Sequence, residues 1–161
     1  MTATARQRAA AEPLSEAGLA VWKDFLRAHS RLMRELDEEM RDEHGVALGD
    51  FDVLAQLGEA AGGRLRMCDL AAAVVLSPSG LSRRVDRLER EGLVGRERAE
   101  DDARSVEASL TARGRRLLRR LRATHRAGVK QRFADHFSAA ELQTLRELLP
   151  RLTQGGPGEV S

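Results

Sequence analysis

Residues 77 to 111 constrain this chain more than any other stretch, because SPSGLSRRVDRLEREGLV runs straight into GRERAEDDARSVEASLT. A well-marked helix is followed without a linker by two short segments that alternate along their length. Ser77 offers a side-chain oxygen to the orphan N–H groups of a first helical turn, and Pro78 follows where its missing N–H costs nothing. Leu81, Val85 and Leu88 then fall at i, i+4 and i+7 and make one apolar stripe. Ser79, Ser82, Arg83, Asp86 and Arg90 point the other way, with Arg84 and Arg87 on the flanks. Gly92 stands where a helix C-terminus favours glycine. Beyond it, Val94 to Arg98 alternates weakly, whereas Val106, Ala108 and Leu110 alternate cleanly with Ser105, Glu107 and Ser109, the period of a half-buried strand. The polar run AEDDAR between them suits the tip of a hairpin.

The outward helix face fits the major groove of double-stranded DNA. Short hydroxyls at its tip allow close approach, Gly80 adds no side chain that would hold the backbone away, and arginine forks match guanine edges and phosphates. Ser77, Ser79, Gly80, Ser82, Arg83, Arg84 and Arg87 are therefore the candidate contacts on this helix. A charged helix face is more often merely solvated, and the adjoining hairpin is what gives these arginines their weight. Asp86 reads as a residue that orients a neighbouring arginine.

On the SPSGLSRRVDRLEREGLV run, the Asp102-Ala103-Arg104 triplet and the SLTARG run from Ser109 to Gly114, the chain resembles the MarR-type family of bacterial winged helix-turn-helix transcriptional regulators. The overall helix pattern extends the resemblance over roughly residues 15 to 152. It implies a mainly α fold with a small β-hairpin wing: a winged helix-turn-helix head at about 49–110, and long terminal dimerisation helices at about 15–45 and 111–152, within one domain. It also implies that Arg104 enters the minor groove and that Asp102 steadies the wing. The function implied is a homodimeric repressor that occupies a pseudo-palindromic operator. Family members commonly respond to a small aromatic or phenolic effector bound between the dimer helices and the head, which makes Trp22, Phe25, His29, Arg66 and Asp69 candidate ligand contacts. Trp22 and His29 read equally as packing residues on an apolar stripe. Cys68 reads as structural, with a redox-responsive regulator as the alternative.

Charge is distributed unevenly. The net formal charge of the 161 residues is only +2, yet Thr111 to Arg132 carries nine lysines and arginines and no acid, while Arg31 to Ala60 carries nine acids against three arginines. A basic segment directly after the hairpin is what a DNA-facing surface requires. Aromatic residues are 3% of the chain and tyrosine is absent, so stacking on single strands is poorly supported. The single cysteine cannot form an internal disulfide, and the N-terminal residues lack the apolar core of a secretory signal, which points to the cytoplasm. The longest apolar run, Leu70 to Leu76, is far below the roughly 20 residues of a membrane span. No phosphate loop, nucleophile elbow or metal-ligand spacing is present, and the four histidines are scattered, so neither an enzyme, a metal site nor a cofactor is expected.

The flanks supply long apolar stripes. Leu19, Trp22, Leu26, His29, Met33, Leu36 and Met40 advance by threes and fours along a helix predicted from about Ser15 to His44. A second stripe, Leu142, Leu145, Leu148, Leu149 and Leu152, follows a capping-box pattern at Ser138 to Glu141. Between them Leu117, Leu118, Leu121, Val129 and Phe133 predict a third helix, interrupted near Gly128. Gly49 to Gly58 predicts a short helix with an acidic start, Arg64 to Arg66 a very short strand pairing with the hairpin, and Met67 or Cys68 the opening of the helix before Ser77. Residues 1–13 and 154–161 are expected to be disordered. Packing within one chain and packing between two both account for the stripes, and a helical protein-interaction module without DNA binding remains the competing reading.

Overall fold

The structure, a computed structural model, describes residues 13–74, 76–98 and 105–153. In chain order it contains α1 (Glu16–His44), α2 (Leu48–Glu59), β1 (Arg64–Arg66), α3 (Met67–Ala73), α4 (Pro78–Arg90), β2 (Val94–Arg98), β3 (Val106–Leu110), α5 (Ala112–Arg132) and α6 (Ala139–Leu148). Single 3-10 turns occupy Ala61–Gly63, Ala134–His136 and Leu149–Leu152. The mainly α architecture with a small sheet agrees with the sequence reading, and the expectations for the chain ends lie outside the described residues.

Helix α1 begins where Ser15 accepts a hydrogen bond from the Gly18 N–H at 3.0 Å. It ends at Gly45, whose φ of 69° turns the chain into the left-handed conformation that glycine adopts without penalty. Within the helix only Leu36 and Met40 are buried, and residues 19–31 are exposed. Ala47, at the N-terminus of α2, has no capping side chain. Asp37 of α1 does that work, accepting from the Leu48 N–H at 2.7 Å. The Arg41 guanidinium bonded to Asp37, and then that N–H, hold its carboxyl below the usual range.

Helices α2, α3, α4 and α5 and the sheet enclose one core, in which Met40, Leu54, Leu57, Leu70, Leu81, Leu88 and Leu121 are among the fully buried side chains. The sheet is antiparallel with order β1-β3-β2. The expected hairpin thus gains its expected third strand, with Arg64 opposite Ser109 and Arg66 opposite Glu107, while Val94 faces Leu110 on the other side. The period of two places Ala108 and Leu110 in the core, but Val106, toward the tip, is exposed.

Two glycines on α5 mark where helices and loops approach too closely for a side chain. A Cβ on Gly114 would overlap the Leu93 carbonyl oxygen and lie 3.0 Å from its carbon. Thr111 completes that corner: its hydroxyl accepts from the Gly114 N–H at 2.9 Å and donates to the Gly92 carbonyl at 2.8 Å. At Gly128 the predicted interruption of the third helix does not occur, and α5 runs through to Arg132. A Cβ there would overlap the Glu39 carboxylate and lie 2.8 Å from Leu36 Cδ2, so this glycine is the contact point of α5 with α1. The helix tolerates one glycine at about 1 kcal/mol, a cost that helix packing offsets. The capping box at α6 forms as expected, with Glu141 N–H donating to Ser138 Oγ at 3.3 Å and Ser138 N–H to Glu141 Oε2 at 2.8 Å.

Candidate nucleic-acid interface

Helix α4 is presented by its buried stripe. Leu81, Val85 and Leu88 are inaccessible to solvent or nearly so, which forces Ser79, Arg83, Asp86, Arg87 and Arg90 outward. Ser77 caps the helix by accepting from the Gly80 N–H at 3.1 Å, with Pro78 in the first turn. A Cβ on Gly80 would lie 3.1 Å from Ser77 Oγ, so the missing side chain protects the cap as well as leaving the tip open. The far end closes with a Schellman motif: Leu93 N–H donates to the Leu88 carbonyl and Gly92 N–H to the Glu89 carbonyl, both at 2.9 Å, with Gly92 at φ 70°. Both ends of this 13-residue helix are therefore fixed by local chemistry.

The arginines on α4 divide by partner. Arg83 is exposed and has no ion-pair partner among the described residues. Arg84 and Arg87, which the sequence groups with it, both reach back to Asp50 of α2. Arg84 Nη1 donates to Asp50 Oδ1 at 3.2 Å, and Arg87 Nη2 donates to both carboxylate oxygens. Asp50 is the one buried charged side chain among the described residues, and it makes the two arginines a clamp between α2 and α4. In the sequence Asp50 reads only as part of the acidic start of the short helix over residues 49–58. The available signal was its register: 50, 53, 54 and 57 share one face of α2, and the other three are Val53, Leu54 and Leu57 of the core. Gly49 makes room, since a Cβ there would overlap the Arg84 guanidinium.

The sheet is fastened to α4 by Arg96, a residue the sequence reading passed over. Its Nη2 donates to the Ser82 carbonyl at 3.0 Å and to the Asp86 carboxylate, and Nε lies 3.7 Å from Glu89. Asp86 thus does orient an arginine, one that arrives from β2. Ser82 is half-buried. Asp102 and Arg104 lie outside the described residues.

The candidate ligand residues fall into separate groups within one chain. Trp22 stacks on Phe25 with centroids 6.0 Å apart, and Phe25 on His29 at 6.3 Å, all along exposed α1. Phe25 and His29 line an apolar hollow of about 350 Å³ between α1, α5 and α6. Arg66 lines a different hollow beside Cys68, Ser82 and Arg96. The Cys68 thiol is exposed and donates to Asp69 at 3.7 Å. Among the described residues no group of side chains has metal-ligand geometry, and no helix is long and apolar enough to cross a membrane.

Three helices ending in an exposed, doubly capped one, followed at once by an antiparallel ribbon braced against it, constitute a winged helix-turn-helix. Residues 44–105 match the model of the MarR family. HTH-type transcriptional repressors of Mycobacterium tuberculosis and Mycobacterium bovis are each 31% identical over 108 residues, 67% of this chain and 76% of theirs. AbsC, a MarR family transcriptional regulator from Streptomyces coelicolor, superimposes with a TM-score of 0.82 at 31% identity, covering 88% of this chain and 95% of its own. A second MarR family regulator from the same organism, solved in complex with DNA, gives 0.84 at 31% identity, covering 89% and 93%. The chain belongs to the MarR family of transcriptional regulators.

Proposed function

We propose that the chain is a cytoplasmic, homodimeric repressor that binds double-stranded DNA at a pseudo-palindromic operator, with α4 in the major groove. The observation that carries this reading is the outer face of α4, where the exposed Arg83, without an ion-pair partner among the described residues, and the hydroxyls of Ser77, Ser79 and Ser82 surround a capped helix tip. Arg84 and Arg87 act mainly as positioning residues, because Asp50 engages both. The Streptomyces coelicolor relative solved in complex with DNA supports the DNA-binding reading, and the family resemblance implies Arg104 in the minor groove, with Asp102 steadying the wing. Dimerisation is supported by what one chain leaves uncovered: Leu19, Trp22, Phe25 and Leu26 on α1, and Leu148, Leu149 and Leu152 at the C-terminal end. A two-fold pair of heads reads half-sites about one helical turn, roughly 34 to 36 Å, apart. A small aromatic effector fits the hollow beside Phe25 and His29, whose lining is apolar.

Mobility shifts on promoter DNA upstream of the protein's own gene, with sedimentation to count chains, test this reading. Arg83→Ala weakens operator binding by about 1 to 3 kcal/mol and relaxes preference at one base pair per half-site. Wild-type affinity in that variant, or no sequence-specific shift at all, refutes it. The second outcome is the one an interaction module without DNA binding predicts.

A further inference from the structure

The apolar anchorage of the ribbon ends before the ribbon does. One face of β2 carries Val94, Arg96 and Arg98, and the same face of β3 carries Leu110, Ala108 and Val106, each opposite its partner in the antiparallel register. Val94, Ala108 and Leu110 are buried, whereas Arg98 and Val106 are exposed, so the core stops at the level of Arg96 and Ala108. Beyond that level a hollow of about 600 Å³, lined by Pro78 and Ser82 on one side and Arg96, Ser105 and Val106 on the other, opens between the ribbon and the start of α4. On its far edge β3 is held by β1 only as far as Glu107. Past this point two strands are left to set their own twist, and a two-stranded ribbon by itself is marginally stable.

Arg96 is the tie at that boundary. Ser82, Asp86 and Glu89 recur at i, i+4 and i+7 on α4, and the guanidinium lies along all three: Nη2 donates to the Ser82 carbonyl at 3.0 Å and to the Asp86 carboxylate, and Nε lies 3.7 Å from Glu89 Oε2. Among the described residues no other hydrogen bond or ion pair joins β2 or β3 to α4. The Arg96 side chain is 23% exposed, so water competes only in part. A planar fork held by one backbone carbonyl and two carboxylates fixes direction as well as distance, which a lysine ammonium would not.

We propose that Arg96 is a positioning residue for DNA recognition, setting the angle between α4 and the wing so that one head engages a major groove and the adjacent minor groove together. This rests on the reading of α4 and the wing given above. Two contacts on a rigid frame bind as one unit, because the first holds the second at high effective concentration. A frame that swings loses that advantage even with every contacting side chain intact. Each residue beyond Arg96 lengthens the lever by about 3.3 Å, so a small rotation at the clamp grows toward the tip. Asp86 and Glu89 serve the clamp, and Arg96 in turn offsets acids that would otherwise repel phosphate from the outer face of α4.

Footprinting of the full chain on DNA that the wild type selects from a random pool tests the proposal. At saturating protein, methylation of guanine N7 reports the major groove and hydroxyl-radical cleavage reports the minor groove. Arg96→Ala is expected to keep the major-groove protection and lose the minor-groove protection beside it, with affinity lowered by about five- to tenfold. Asp86→Ala should lose the same protection although it makes the chain more positive, a change that by charge alone would tighten binding. Arg96→Ala/Arg104→Ala should bind no more weakly than Arg104→Ala, whereas a general structural defect would add its own loss. In the free protein, amide exchange in the outer parts of β2 and β3 should quicken by about tenfold in Arg96→Ala with α4 unchanged. An intact minor-groove footprint in both variants, additive losses, or unchanged exchange in the ribbon overturns the proposal. Failure of the wild type to protect either groove refutes the reading above and this proposal with it; failure confined to the variants refutes this proposal alone.

Discussion

Replacing Asp50 by alanine removes the charge that holds α4 against α2. Breaking a buried ion pair from one side typically costs about 3 to 5 kcal/mol, because the remaining charge stays desolvated. Here the carboxylate side chain is 8% exposed, but Arg84 keeps 27% of its side-chain surface in water and Arg87 keeps 47%. Arg87 can rehydrate almost fully and Arg84 only in part, so the expected loss falls to about 2 kcal/mol. For a chain of this size that lowers Tm by about 4 to 8 °C. Urea unfolding followed by far-ultraviolet circular dichroism measures it, and a double-mutant cycle with Arg84→Ala isolates the pair. Asp50→Asn, which keeps the shape and one acceptor, should lie between wild type and alanine. Operator binding should weaken with stability held above threshold by low temperature, since α4 loses its inner anchor while Arg83 is untouched. A change in stability below about 0.5 kcal/mol, or a coupling energy near zero, would refute the clamp, because both partners would then be solvated as ordinary surface charges.

Two further outcomes follow from the same packing. Gly114→Ala drives a methyl group into the Leu93 carbonyl, a backbone atom that cannot swing aside, and should cost about 1 to 3 kcal/mol in chemical denaturation; a neutral result would show that the α5 corner relaxes freely. Burial lowers the pKa of His125 from its ordinary 6.5, against the pull of Asp52 and Glu39, and its ring lies 4.6 Å from Phe51. The folded state therefore binds fewer protons than the unfolded one just below pH 6.5: this contribution is complete above that pH and is lost as pH falls toward the lowered value. Unfolding at pH 7.5 and 5.5 should show the decline in wild type and a smaller one in His125→Gln; identical declines would remove His125 as its source.

Local signals carried far in this chain because caps and periods are local physics. Ser15, Ser77, Thr111 and Ser138 each cap the helix they precede, and Gly45 and Gly92 each adopt the positive φ that ends one. Stripe periodicity likewise separates Leu81, Val85 and Leu88 from the outward face of α4. Local rules misjudged Gly128, where a helix breaker in sequence is a close-packing residue in space.

Sequence alone therefore placed most helix and strand bounds, though not the unbroken run of α5 through Gly128, and showed which face of α4 turns inward, since each depends on neighbours within about four residues. Only the tertiary structure decided which arginine meets which carboxylate. Asp50 lies 34 positions from Arg84, and Arg96 reaches Asp86 across a change of secondary structure. Charge pairing at that separation depends on how the core brings helices together, and no periodicity along the chain encodes it.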